Sequence, residues 1–399
     1  MPEAVFPPPR RILLGPGPSD VHPRVLAALA QPLVGHLDPA FIALMDETKA
    51  LLRRVFQTTN ELTIPISGTG SAGLEACIVN LVEPGDEVVI GVNGVFGTRL
   101  AEVAARAGAS VVPAEAPWGE AVPEETLAAA LARTRRPKLV VVVHAETSTG
   151  VWQPLEGASR LAHEAGALFV VDCVTSLAGC PVEIDRLAID AAYSGTQKCL
   201  SCPPGLSPVT FGAKAIGVLR TRTRPVQSWY LDLTMLEKYW GEERVYHHTA
   251  PISMNYALYE ALRLVVEEGL EERFRRHRLH HTALVAGLEA LGLEMAVAPA
   301  HRLWMLNSVR IPDGVDDLAL RRALLAEDQI EIGGGLGPLK GKIWRIGLMG
   351  LSSTAANVRA LLGALERLLP RHGLRVAAGA GRAAAERVLA AAGGAARAS

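Results

Sequence analysis

Residues 169–205 read FVVDCVTSLAGCPVEIDRLAIDAAYSGTQKCLSCPPG, and this stretch decides the fold. Residues 168–171 form a short apolar run of the kind that makes a buried strand, which delivers Asp172 to the strand's carboxyl end. Open α/β sheets keep their ligands at that edge. A second run, 189–193, leads through Ser194, Gly195, Thr196 and Gln197 into Lys198. Pro203, Pro204 and Gly205 then forbid a helix, so Lys198 sits on a constrained loop beside Asp172.

Outward from this stretch the pattern repeats. Residues 138–143, leucine followed by valines, predict a strand covered on both faces. A helix over 155–165 joins it to the strand that ends in Asp172, and 207–211 reads as a further, antiparallel strand. Upstream, a helix starts at Pro23. A longer one runs over 39–56, with Phe41, Leu44, Met45, Leu51 and Leu52 at helical spacing. Strands over 61–66 and 87–92, a helix beginning near Ser71 and a helix over 124–133 complete the series. Such alternation predicts a mainly parallel sheet with right-handed crossovers. The segment 222–251 is aromatic and irregular, and a long helix over 253–268 follows it.

Four divisions emerge. Residues 1–22 are a proline- and glycine-rich arm without regular structure, and 23–270 form the large domain. Residues 271–370 form a small α+β domain with strands at 306–311 and 342–346 and helices at 316–326 and 355–369. Residues 371–399 are an alanine-, glycine- and arginine-rich tail, partly helical and without a catalytic role.

With 399 residues and 49% hydrophobic content the chain supports two domains and a large core. Its 40 basic and 41 acidic side chains nearly cancel, so no global field draws nucleic acid or anionic membrane. No apolar run reaches the roughly 20 residues of a spanning helix, and the opening residues lack a signal peptide's pattern. Five cysteines, odd and sparse, argue against a disulfide framework and for a reducing, cytoplasmic setting. Cys199 and Cys202 make a lone CxxC without a second ligand pair, so no metal is expected. The adjacent His247 and His248 are expected to point apart, as neighbours on a helix or strand do. The run EERFRRHRLHH at 271–281 reads as a solvated helix face.

A buried acid and a lysine at one sheet edge suit pyridoxal phosphate, which needs an amine for its aldehyde carbon and a carboxylate for its ring nitrogen. The alternative is an ordinary Asp172–Lys198 ion pair. Gly68, Gly70 and Gly73 satisfy GxGxxG, which opens an NAD-dependent oxidoreductase reading. The next strand, however, ends at Asn93 and Gly94 where a ribose-binding acid belongs. What survives is an anion site at a helix start, at Thr69, Gly70 and Ser71. Phe96, in NGVFGTR, is either a ring-stacking residue at the same edge or part of the core. Arg345, alternating with Trp344 and Ile346, projects away from them and wants either a ligand carboxylate or an internal salt bridge.

SGTQKCLSCPPG around Lys198, HAETSTGV at 144–151, YHHT at 246–249 and WRIGLMG at 344–350 together resemble the class V, fold-type I pyridoxal-phosphate enzymes, in their alanine–glyoxylate and serine–pyruvate aminotransferase branch. The likeness spans roughly residues 14–369. It implies a seven-stranded, mainly parallel sheet in the large domain. It implies Lys198 as cofactor-bearing base and Asp172 as partner of the ring nitrogen, with Thr69, Gly70 and Ser71 on the phosphate. Phe96 would stack on the ring where relatives commonly carry tryptophan, and Val174 and Gln197 would contact the cofactor. Thr147, where relatives usually carry serine, would offer a hydroxyl to the ring oxygen or to Asp172. Tyr246 and Thr249 would reach the phosphate held by a neighbouring subunit, which makes a homodimer with shared sites, and Arg345, Gly17 and Thr147 would hold the substrate. The implied reaction is ping-pong transamination between alanine or serine and glyoxylate or pyruvate. Other small amines such as pyridoxamine or an aminophosphonate, and a non-catalytic binding protein, are alternatives.

Overall fold

The computed structural model describes residues 8–398. Its centre is a seven-stranded sheet whose strands lie in the order Leu62–Ser67, Leu206–Phe211, Ala191–Tyr193, Leu168–Asp172, Pro137–Val143, Glu87–Val92 and Ser110–Glu115. Leu206–Phe211 runs antiparallel to both neighbours, and every other pairing is parallel. The carboxyl ends of six strands therefore share one edge.

The valine run explains why this sheet is buried on both sides. Leu139, Val141 and Val143 enter the apolar layer on one face, with Ile64 and Val170. Val140 and Val142 enter the opposite layer, with Phe169 and Val171. This is the two-residue period of a strand, with apolar side chains in both phases. Crossover helices such as Gly70–Leu81, Val95–Arg106 and Glu156–Glu164 supply the cover.

The small domain carries a three-stranded antiparallel sheet, with Ile343–Gly347 between Leu306–Arg310 and Gly333–Gly334. Trp344 and Ile346 lie in its core and Arg345 faces the other way, as the alternation requires. Long helices bound the join: Ile252–Glu268 ends the large domain, and Leu270–Ala290 begins the small one.

Several expectations need correction. Ser110–Glu115 is an edge strand that its partly exposed, weakly patterned residues conceal. The segment 222–251 is not wholly irregular: Leu233–Trp240 is a helix, capped by Asp232 and seated on buried Leu236, Tyr239 and Trp240. His247 and His248 lie in neither helix nor strand, so their rings meet, with Nδ1 to Nδ1 at 2.8 Å. The run 271–281 is not a solvated face, because Arg273, His277 and His280 are buried. The arm includes a two-residue strand, Ile12–Leu13, paired in parallel with Ile330–Glu331, and Leu14 joins the small domain's core. Residues 1–7 of the arm lie outside the described residues. The tail belongs to the small domain: helix Ala380–Ala398 buries Ala385 in the same core, and Glu366 accepts hydrogen bonds from the Arg382 backbone and guanidinium.

Candidate active site

At the shared edge, a cavity of about 270 Å³ opens between the strand ends. Thr69, Gly70 and Ser71 line one part of it. Phe96, Thr147, Asp172, Val174, Gln197 and Lys198 line the rest, so nine residues singled out in the sequence meet in one space.

Asp172 is 4% exposed. Its Oδ1 accepts from the Val174 amide at 2.9 Å and its Oδ2 from the Tyr193 hydroxyl at 2.6 Å. Burial pushes its carboxyl up to about 6, against the pull of those two hydrogen bonds and of Lys198 and Arg99. Burial likewise lowers Lys198 to about 8; Arg345 adds to the fall, while Cys199 and Asp172 oppose it. The lysine does not pair with the acid. Its Nζ donates to the Pro16 carbonyl, and Gly17 leaves it room, since a Cβ there would overlap the amine. The plain ion-pair reading therefore fails: acid and amine face one cavity and each keeps another partner.

The lysine loop is held from two sides. Ser19 donates its amide to the Gln197 carbonyl at 2.9 Å and its hydroxyl to the Lys198 carbonyl at 2.7 Å. Arg273 donates to the Cys199 carbonyl at 2.5 Å and to that of Ala178 at 3.1 Å. Cys199 and Cys202, within the loop, are buried free thiols.

Arg345 donates Nε to the Gly334 carbonyl at 2.7 Å and Nη1 to the Thr147 carbonyl at 3.1 Å. Among the described residues it has no carboxylate within 4 Å, so the internal salt bridge is absent and a buried cation waits beside the cavity wall. Tyr246 and Thr249 do not line the cavity, and both side chains are exposed.

The residues present fit pyridoxal phosphate. Helix Gly70–Leu81 begins with no side-chain cap, which leaves first-turn amides for a phosphate. Gln197, on the cavity wall, has its side-chain oxygen buried without a partner. An amine and a buried acid complete the donor set. The dinucleotide alternative gains nothing, for Asn93 spends its side chain on the Glu120 carbonyl.

Four residues escaped the sequence reading. Tyr193 ends the strand beside the one that ends in Asp172, and the register pairs the two. Glu146 lies inside HAETSTG, an acid among apolar and hydroxyl neighbours. Arg99 stands one helical turn after Phe96, lines the cavity and stacks on that ring at 5.1 Å. Ser19 carries no signal that separates it from other arm residues.

Fold and site together define a pyridoxal-phosphate enzyme of fold type I. Residues 15–361 match the aminotransferase class-V family, and the chain belongs to that family. It is 43% identical over 389 residues to the (S)-ureidoglycine–glyoxylate transaminase of Bacillus subtilis (strain 168), covering 93% of each. The solved structure of an alanine–glyoxylate aminotransferase from Nostoc sp. superposes with a TM-score of 0.90 at 53% identity, covering 92% of this chain and 98% of that one. A pyridoxamine–pyruvate aminotransferase from Mesorhizobium loti superposes at 0.91 with 30% identity, covering 98% and 99%. This protein is a pyridoxal-phosphate-dependent transaminase.

Proposed function

We propose that the chain moves the amino group of a small amino acid, alanine, serine or (S)-ureidoglycine, to glyoxylate. The observation that carries this reading is the buried Arg345 guanidinium, without a carboxylate partner among the described residues and held against the Thr147 wall of the cavity. A cation so placed suits a substrate whose carboxylate is its main handle. The glyoxylate named for both the Bacillus and the Nostoc relatives supports the acceptor.

Bound pyridoxal phosphate supplies the electron sink. The chain supplies the rest. Arg345 fixes the substrate carboxylate, which orients the α-hydrogen. Lys198, with an amine already tilted towards its neutral form, would take that proton and deliver it to the carbon that was the cofactor's aldehyde. Asp172, buried and ionised above about 6, would keep the ring nitrogen protonated. Helix Gly70–Leu81 would hold the phosphate at its amino end.

The test is a panel of donors (alanine, serine, (S)-ureidoglycine, pyridoxamine, an aminophosphonate) against glyoxylate and pyruvate, read as release of the oxo product. Parallel double-reciprocal lines with glyoxylate and a small amino acid are expected. Turnover confined to pyridoxamine or an aminophosphonate would replace the donor, and absence of turnover with every pair would overturn the reading.

The chain also acts, in this reading, as a homodimer in the cytoplasm. Tyr246 is 56% exposed, Trp229 57% and Leu33 68%, and large apolar side chains left in solvent support the dimer reading. Five free, buried thiols suit a reducing compartment.

A further inference from the structure

Glu146 has no part in the roles assigned so far, yet its carboxylate is fully buried and accepts four hydrogen bonds. Oε2 accepts from the backbone amides of Phe96 at 3.0 Å and Gly97 at 3.2 Å. Oε1 accepts from the amide of Ser148 at 3.0 Å and from its hydroxyl at 2.5 Å. The Ser148 oxygen accepts in turn from the Val95 amide at 2.9 Å. Val95, Phe96 and Gly97 are the first turn of helix Val95–Arg106, whose own N-cap, Gly94, has no side chain to offer. A helix start is usually capped by the residue that precedes it. Here the cap comes from a loop 50 residues further along the chain, and it places an anion at the positive end of the helix. Gly94 fits this arrangement, because a Cβ there would overlap the Glu146 carboxyl carbon and the Ser148 oxygen.

Both tied segments face the cofactor cavity. Phe96 lines it from the helix, and Thr147 lines it from the loop, between Glu146 and Ser148. The Thr147 carbonyl is also the acceptor for Arg345. One carboxylate thus joins the stacking ring to the wall on which the substrate-binding arginine rests. Burial raises the acid's pKa, and the bonds from Ser148 and Gly97 oppose that rise.

We propose that Glu146 is a positioning residue whose carboxylate sets the spacing between the Phe96 ring and the Thr147–Arg345 contact, so that cofactor stacking and substrate-carboxylate binding share one geometry. The proposal rests on the transaminase reading above and concerns how its site is held. A merely structural acid would lower heat stability and leave the site's properties alone. A positioning acid moves both.

The experiment compares the wild-type holoenzyme with Glu146→Gln, Glu146→Asp and Ser148→Ala. Four quantities are read: the melting temperature, the dissociation constant of pyridoxal phosphate by equilibrium dialysis, the visible circular dichroism of the bound cofactor, and kcat and KM for the amino donor. Gln keeps the length but not both acceptor oxygens, and Asp keeps the charge but is one methylene short, so neither restores the link. Both variants should weaken cofactor binding and raise donor KM about 10-fold or more, with an altered dichroic band and a smaller change in kcat. Ser148→Ala, which spares Glu146, should show the same changes at about 3-fold. Binding, dichroism and KM within 2-fold of wild type in the folded variants would overturn the proposal, even with a lower melting temperature. Should the Glu146 variants fail to fold, Ser148→Ala decides by the same criteria. Should the wild type bind cofactor without turning over any amino acid, the functional reading fails, while dialysis and dichroism still judge Glu146.

Discussion

Lys198 and Asp172 are each displaced by burial towards the neutral form, and the two displacements act in opposite pH directions. The neutral Lys198 amine grows as pH rises towards about 8. Uptake of pyridoxal phosphate by the cofactor-free protein, followed by absorbance, should therefore quicken about tenfold per pH unit below that value and level off above it. Lys198→Ala should lower turnover about 1000-fold, and wild-type rates in that variant would refute its role. For Asp172 the folded value, about 6, lies above the ordinary 3.8. Folding thus favours the protonated acid: its contribution to stability is full below the unfolded value and is lost as pH rises through about 6. Cofactor-free Asp172→Asn should gain stability on wild type as pH rises from about 4 to about 7, levelling at no more than about 3 kcal/mol and read as a higher melting temperature, and should lose turnover about 100-fold or more. The acid was legible because it ends an apolar run, and the lysine because a short loop carries it from the next run to the same edge. Tyr193 and Glu146 were not, because what makes them matter is a neighbour in space: the paired strand for one, a helix start 50 residues away for the other.

Helix Leu270–Ala290 shows what charge patterning leaves unsaid. EERFRRHRLHH has the composition of a solvated face, yet Arg273 is buried against the carbonyls of Ala178 and Cys199 and pairs with Glu268. His277 accepts from the Gly350 amide at 2.9 Å. Nothing in the spacing announces carbonyls that await a cation. Arg273→Met should cost about 3 kcal/mol, seen as a lower melting temperature, because it strands those acceptors and part of the Glu268 charge. It should also lower kcat, since the Cys199 carbonyl belongs to the lysine loop. The parallel strands, by contrast, were readable almost residue by residue: runs such as 139–143 are apolar in both phases, and only a doubly covered strand uses that pattern.

Across the whole molecule, the large parallel sheet and its ligand edge were foreseeable from the alternation of strands and helices, while the placement of the two chain ends was not. Arm and tail lack periodicity, and their partners are surfaces built by distant residues. The proposed homodimer has a direct check. Tyr246→Phe should leave the fold intact yet weaken cofactor binding about 10-fold, if its hydroxyl meets the phosphate held by a second copy. A heterodimer of Lys198→Ala with Tyr246→Phe should then hold one intact site and one dead site that carries both changes, whereas one impaired and one dead site would show that Tyr246 serves its own subunit, and sedimentation should give twice the monomer mass for all forms.

The chain's first strand supplies a last consequence. Ile12–Leu13 is stitched to the small domain, and Ser19 is bonded to the loop of the large one. Leu14 is still anchored in the small domain's core, so residues 15–18 act as a leash of fixed length. Five virtual bonds, each reaching at most roughly 3.5 Å, span at most about 18 Å from Leu14 to Ser19 when pulled straight. Any gaping of the two halves beyond that limit must first unzip one of its moorings, so the mouth of the enzyme has a built-in stop.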